Sequence, residues 1–290
     1  MIQYIEHKNI DFKKWDACIA SSFNRLIYGF SWYLDVVCDD WDALVLNDYE
    51  GVFPLPKRKK WGIDYIYQPF FCQQLGVFSK KKIEIDLFLN CIPKKFKYLE
   101  LNVGLSKNFI LKENKNYELS ITKDFESNFS KNTSRNISKA KASNLSLVSN
   151  ISTEQHISLF CNKLSKIGLG QKDLERYLKL CNVLIANNSG KIYAVFDSLN
   201  NIVASSLIAF DAKRVYYLNG ATNQKGREIG ASHWMVFEIM KNYYGKIFDF
   251  EGSNIEGIAR FYAGFGASKT SYSTIIMNRL PFYLKWLKSF

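Results

Sequence analysis

The sequence predicts a mixed α/β (α+β) chain of two tandem units, each a mostly antiparallel twisted sheet flanked by helices. Three observations predict this. Short strand-like runs occur in groups joined by polar turns, as in "KIYAVFD", "NIVASSLIAF" and "RVYYLNGAT", which "SLNN" and "DAKR" connect into a meander. Amphipathic helical segments stand before and after such groups. The same order of elements occurs twice, with "YLELNVG" and "IFDFEGS" in the same place in each copy. The boundary is expected at 122/123, giving domains 1–122 and 123–290 with no low-complexity linker.

Taken in order, residues 13–22 and 31–38 read as helices, with Trp32, Val36 and Val37 on one side. "WDALVLNDYEGVFPLP" reads as strand, turn and strand, closed by Pro54 and Pro56. A strand "IDYIYQP" at 63–69, a helix near 80–92 and a strand at 97–104 complete the first unit. In the second, 130–144, 153–168 and 172–186 read as helices before the meander. A glycine-containing loop at 223–230 then leads into the helix "GASHWMVFEIMKNYYG". The strand "KIFDFEG", a short helix and the strand "SYSTIIMN" finish the chain.

Composition narrows the classes. With 47% hydrophobic and 16% aromatic residues over 290 positions, the chain builds a substantial core, which excludes global disorder. No apolar run is long enough to span a bilayer and the start lacks an apolar signal region, so a soluble, cytoplasmic protein is expected. Six scattered cysteines without CxxC pairs and only three histidines argue against a metal site or a disulfide framework. The net charge of +12 gathers in "KRKK" at 57–60, "KKK" at 80–82 and "KKFK" at 94–97. It also forms a stripe, Lys131, Arg135 and Lys139, at helical spacing. Such clusters are either solvated faces or surfaces for an anionic partner, and charge alone does not choose. The tail "LPFYLKWLKSF" combines aromatics with lysines and suits either packing on its domain or contact with a membrane surface.

Three constellations carry candidate chemistry. In "NQKGREIGAS", Gly226, Gly230 and Ala231 surround a helix start, where small residues let a ligand approach and free amides suit a phosphate. Arg227 adds charge there; the alternative is an ordinary strand-to-helix turn. In "KIFDFEG", Asp249 and Glu251 alternate with Phe248 and Phe250, so the acids must be paired, hydrogen-bonded or open to a cleft. Either could accept a proton from an amine; alternatively Asp249 pairs with a base such as Arg260 and Glu251 ties down a loop. "SNIE" at 253–256 reads as a capping box with Ser253 as N-cap. In "RFYAGFGA", Tyr262 is either a proton donor to a leaving group or an aromatic core residue.

The order of these pieces resembles the GNAT acyltransferase superfamily, and within it the two-domain, FemAB-like branch. The segments that carry the resemblance are "RNISKAKASNLSL", "GATNQKGREIGASHWMVFEIM" and "IFDFEGSNIEGIARFYAGFGA". It implies tandem GNAT-like domains, the first degenerate and lining the acceptor side, with "YQPFFCQQ" as candidate lining, and the second catalytic. It implies an N-acyltransferase that moves an acyl group from acetyl-CoA, a longer acyl-CoA or a carrier-protein thioester to an amine on a small molecule or cell-envelope precursor, without a metal. Arg227, Gly230 and Ser232 fall on the superfamily's Arg/Gln-x-x-Gly-x-Gly/Ala loop, serine departing from the pattern. The implied donor site comprises Leu218, Gly220, Gln224, Gly226, Arg227, Gly230, Ala231 and Ser232, with backbone amides of "YYLNG" polarising the thioester carbonyl. Tyr262 and Gly266 fall on a Tyr-x-x-x-Gly element, Ala267 replacing an aromatic, so Tyr262 inherits the role of acid toward the CoA thiolate. Asp249 or Glu251 is then the base. Alternatives are an aminoacyl-tRNA-dependent FemAB-type transferase, with the α-helical basic stripe on the RNA, and a catalytically inactive GNAT-like binding module. No heptad-patterned helical arm of the tRNA-dependent kind is present.

Overall fold

A computed structural model describes residues 1–104, 106, 109–164 and 170–288. The chain forms two compact units: Met1–Asn114 with Ser271–Phe290, and Lys115–Thr270. The division therefore falls eight residues before the expected 122/123 boundary (122 − 114 = 8), and the C-terminal segment returns to the first unit. Strand pairing explains the return, as shown below.

The first unit contains β1 (Ile2–Ile5), α1 (Phe12–Ser21), α2 (Ser31–Val37), β2 (Trp41–Leu46), β3 (Gly51–Lys60), β4 (Ile63–Ile66), β5 (Phe78–Ser79), α3 (Ile85–Leu89) and β6 (Phe96–Val103). Strand β7 (Ile110–Ser120) carries the chain onward. The second unit continues with α4 (Lys131–Lys141), β8 (Ser146–Ser149), α5 (Thr153–Leu164), α6 (Gln171–Ala186), β9 (Gly190–Phe196), β10 (Ile202–Phe210) and β11 (Arg214–Thr222). It ends with α7 (Gln224–Glu228), α8 (Ala231–Met240), β12 (Ile247–Asp249) and α9 (Glu256–Ala263), before β13 (Ser268–Asn278) and a 3-10 helix at Phe282–Lys288.

In the first unit the strands lie in the order β1-β2-β3-β4-β6-β13, and in the second β8-β9-β10-β11-β12-β7. Each order is an antiparallel meander followed by one parallel pair, β4 with β6 and β11 with β12, and then an antiparallel strand. The two units are thus copies in strand order, and β6 and β12, which carry "YLELNVG" and "IFDFEGS", hold equivalent places. Strand β13 pairs with β6 from Ser273↔Val103 to Asn278↔Tyr98, which is why the chain end belongs to the first unit.

Several elements differ from their sequence reading. Strand β3 runs through Pro54 and Pro56 to Lys60 instead of closing at them. The Lys57 N–H donates to Asp40 O on the β2 side, so alternation turns the amide positions of 54 and 56 to the other side. There β5 pairs only with Gly51 and Val52, and β4 begins at Lys57, leaving a gap in which a missing donor costs nothing. The helix near 80–92 shrinks to Ile85–Leu89, and the end of the helix expected at 153–168 lies outside the described residues beyond 164.

The second unit's core on the α8 side of its sheet joins Val215, Tyr217, Phe248 and Phe250 from the strands to Met235, Val236, Ile239 and Met240 of α8. Burying large apolar side chains at about 1.5–3 kcal/mol each holds α8 on β10 and β11, and so fixes where its N-terminus sits.

Candidate functional site

Strands β11 and β12 pair in parallel only from Arg214↔Ile247 to Tyr216↔Asp249. Beyond that point they separate. The Phe250 N–H donates to Tyr117 O, following β7, and the chain turns away through Glu251 and Gly252, both left-handed (φ 64° and 66°). Strand β11 continues to Thr222, with no strand pairing on its β12 side beyond Tyr216 among the described residues, and a β-bulge at Leu218 shifts its register on β10.

The α8-facing side of the splay carries hydroxyls. Alternation and the register Ser206↔Gly220 put Ser206, Gly220 and Thr222 on one face with Tyr217. Ser206 Oγ is buried with no hydrogen-bond partner among the described residues. The Tyr217 phenol lies over Gly220 so closely that a Cβ added there would meet its Cζ at 2.7 Å. From α9, the Tyr262 ring packs on Phe250 (4.7 Å between centroids), Tyr117 (6.2 Å) and Tyr217 (6.4 Å). Burial raises the pKa of both phenols, and for Tyr262 the nearby Tyr217, Glu251 and Asp249 add to the rise. Both stay protonated across the physiological range, as donors.

Of the options that alternation left for Asp249, the structure shows pairing and hydrogen bonding. Asp249 is buried, and its Oδ1 accepts from Asn116 Nδ2 (3.0 Å) and from the Glu251 N–H (3.0 Å). Arg214 Nη1 bridges Asp249 Oδ2 (3.2 Å) and Glu118 Oε1 (3.0 Å). Desolvation, then the like charge of Glu118, outweigh Arg214 and push the Asp249 carboxyl up to about 6. Its ion-pair partner is Arg214, not Arg260, which instead bonds Glu256 one turn away (2.8 Å). Phe248 and Phe250 enter the α8-side core, so alternation puts Asp249 on the opposite face of β12 from Tyr262's aromatic neighbours. Asp249 holds the Glu251 turn; Glu251 itself is half-buried. Ser253 is not the N-cap: Ile255 is, and Ser253 Oγ accepts from the Ile255 N–H (3.0 Å).

The segment 223–230 is mostly helical. Asn223 caps α7 by accepting the Gly226 N–H on its side-chain oxygen (2.8 Å), and the amides of Arg227, Ile229 and Gly230 donate to Asn223 O, Lys225 O and Arg227 O. The small residues face protein. A Cβ on Gly226 would run into Val203 O and approach Thr222 Cγ2 at 2.7 Å; one on Gly230, left-handed at φ 77°, would meet Asn136 O of α4 at 2.5 Å. The glycines therefore admit β10 and α4, not a ligand. Arg227 is exposed and donates to Thr222 O (2.8 Å), and Gln224 bonds Glu228 (3.1 Å). What the segment offers is the start of α8, at Ala231 and Ser232, whose Oγ bonds Thr222 Oγ1. The exposed Lys131, Arg135 and Lys139 line the same helix, α4, that packs on Gly230.

No protein-family model and no curated protein sequence matches the chain. Solved structures do match. The crystal structure of FemX aligns at a TM-score of 0.70 and 13% identity, covering 99% of both chains. L-PGS from Bacillus licheniformis aligns at 0.54 and 10% identity, covering 95% of this chain and 94% of that one. A tandem GNAT protein from the clavulanic acid biosynthesis pathway aligns at 0.53 and 8%, covering 97% and 99%. The chain has the two-domain, FemAB-like GNAT fold.

Within this FemAB-like fold the "YQPFFCQQ" segment at 67–74 has a structural place in the first unit. Gln68 Oε1 accepts the Asn102 N–H (2.8 Å), Asn102 Nδ2 donates to Gln73 O (2.9 Å), and the Leu75 N–H donates to Asn102 O (2.7 Å). Among the described residues no group of three or more His, Cys, Asp or Glu is placed to hold a metal.

One cluster had no sequence signal. His156 of α5 is fully buried; its Nδ1 bonds Ser205 Oγ (2.8 Å) and its Nε2 bonds the Tyr177 hydroxyl (2.6 Å). Asn219 donates to the same hydroxyl and accepts the Leu207 N–H (3.4 Å) beside the bulge. The chain of bonds thus braces β11 where it splays. Burial holds His156 down at about 4, so it is neutral. A lone histidine with partners 21 and 49 residues away is invisible to local pattern reading.

Proposed function

We propose that this protein is a transferase that moves an acyl or aminoacyl group from an activated ester to an amine on a small molecule or cell-envelope precursor in the cytoplasm. The observation that carries the reading is the separation of β11 from β12 beyond Tyr216↔Asp249, where Phe250 follows β7, with the protonated phenols of Tyr217 and Tyr262 beside it. The similarity in fold to FemX, L-PGS and a tandem GNAT protein supports it.

In this reading, β11 amides turned to the open side polarise the donor carbonyl as negative charge develops on its oxygen. Glu251, held by Asp249 through its N–H, accepts the amine proton. Asp249 positions that turn and touches no substrate. Tyr262 gives its proton to the leaving oxygen or sulfur.

One observation favours an aminoacyl ester on tRNA over a CoA thioester. The amides of Gly226, Arg227, Ile229 and Gly230 are consumed within the protein, so they do not cradle a diphosphate. The exposed α4 stripe would contact the RNA backbone. The second reading, acyl-CoA or a carrier-protein thioester, is supported by the start of α8 at Ala231, a helix N-terminus with the half-buried Ser232 in its first turn.

Filter binding to tRNA and calorimetry with acetyl-CoA and longer acyl-CoAs separate these. Three phosphate contacts predict log K falling with log salt at a slope of roughly −2 to −3, and loss of binding in Lys131→Ala/Arg135→Ala/Lys139→Ala. Tight acyl-CoA binding without tRNA binding would move the donor to CoA. Failure to bind either would leave an inactive binding module.

A further inference from the structure

One end of the first unit gathers exposed aromatic rings and lysines. The β3–β4 hairpin closes there at Lys60↔Ile63, with Trp61 at its tip. Strand β6 begins at the same end, because it runs parallel to β4 from Asp64↔Phe96. Strand β13 ends there, at Asn278↔Tyr98, and the Arg279 N–H donates to Lys97 O (2.8 Å) before the chain enters its terminal 3-10 helix. Trp61 is 76% exposed, Phe282 86% and Tyr283 60%.

Around these rings stand Lys59, Lys60, Lys94, Lys95, Lys97 and Lys285, all exposed. None of the six is in an ion pair among the described residues. The carboxylates nearby are spoken for: Asp40 and Asp42 hold Lys57, and Asp39 holds Arg58. Asp64 stands opposite Lys59 in register at this end. Lys60 Nζ lies 4.7 Å from the Trp61 ring centre, so ring and charge project together.

Large apolar rings left in water at one end of the unit, among exposed lysines in no ion pair among the described residues, fit the boundary of a bilayer. Indole and phenol rings prefer the headgroup level, and lysines there pair with lipid phosphates. A phosphate backbone alone would ask for the charges but not for rings standing clear of the surface. We propose that this end of the first unit docks on an anionic phospholipid surface, Trp61, Phe282 and Tyr283 entering the headgroup region and the lysines contacting phosphate. The inference does not depend on the transferase reading.

The test is co-sedimentation of the full chain with vesicles of phosphatidylcholine, with and without phosphatidylglycerol. Binding is expected only to the anionic vesicles, weakening with salt, with each Lys→Gln substitution at Lys94, Lys95 or Lys97 lowering the partition about fivefold. Brominated lipid should quench tryptophan emission, and Trp61→Phe should remove that quenching. Trp61→Ala/Phe282→Ala/Tyr283→Ala should lose binding while keeping the thermal transition, because these side chains are exposed. Equal binding to neutral vesicles, or unchanged partition in the variants, would overturn the proposal. So would binding of an RNA oligonucleotide through these lysines in a chain that ignores vesicles.

Discussion

Replacing Asp249 by Asn should change how stability depends on pH more than it changes the fold. The carboxyl is buried and titrates at about 6, against an ordinary 3.8. A carboxyl whose folded pKa is raised binds its proton more tightly in the folded state. It therefore contributes stability that is fully present below 3.8 and is lost as pH rises through about 6. The shift of 6 − 3.8 = 2.2 units corresponds to about 3 kcal/mol. His156 and His233, both held near 4 by burial, run the opposite way, gaining stability as pH rises, but they are present in both proteins and cancel in the difference. Urea unfolding of wild type and Asp249→Asn from about pH 4 to about pH 8 should show the wild type losing about 3 kcal/mol relative to the variant. A flat difference would mean that Arg214 fully offsets the burial. A difference of the opposite sign would mean that the ion pair dominates, and the account of Asp249 as a desolvated, compressed carboxylate would be refuted.

Tyr262→Phe should fold normally and lower turnover by roughly 10²–10⁴ if the phenol is the acid; unchanged turnover across the pH range removes that role. Gly230→Ala must fit a Cβ at φ 77° against Asn136 O, at 2.5 Å, and should cost about 1–3 kcal/mol in thermal or chemical unfolding. Tyr177→Phe strips a partner from both His156 and Asn219 and should cost roughly 1–3 kcal/mol for each group left unsatisfied. If that network braces the splay, Tyr177→Phe also lowers kcat in folded protein, an effect that stability loss alone would not produce.

What the sequence shows well is whatever repeats locally. The meander β9–β11 and helix α8 are apolar runs with polar turns between them; the strands are found within a residue of their reading, and α8 starts at Ala231, one residue into its reading, but stops at Met240, short of the expected end at 245. Strand β7 escapes because "ILKENKNYELS" is rich in Lys, Glu and Asn. Its buried positions include Asn114 and Asn116, which are kept by partners, Thr274 and Asp249, at separations of 160 and 133 residues. No window of sequence contains those partners. The glycines of 226–230 were legible as places of close approach, but the residue type is the same whether a ligand or a carbonyl comes near. Only the fold shows that Val203 and Asn136 fill the space. The acids of β12 were legible as needing partners; that the partner is Arg214 follows from the parallel register of β11 on β12, which nothing near 249 encodes.

The repeated strand order explains why the second unit carries the candidate site. Both units contain a parallel pair that begins to separate, β4 from β6 and β11 from β12. In the first unit the chain leaving β4 turns back and occupies the gap. Gln68 takes the Asn102 N–H, Leu75 takes the Asn102 carbonyl, and Leu75 bridges in parallel to Val103, so the edge of β6 is satisfied by its own protein. In the second unit the chain leaving β11 forms α7 and α8 over the sheet, and the chain leaving β12 turns away at Glu251, so among the described residues no strand pairs with β11 on that side beyond Tyr216. The buried Ser206 hydroxyl, unbonded among the described residues, is costly there unless something else bonds to it. The first unit shows how its own chain closes the same geometry. Under the proposed function, a substrate carbonyl on the β12 side of β11 would take the place that residues 68–75 take in the first unit.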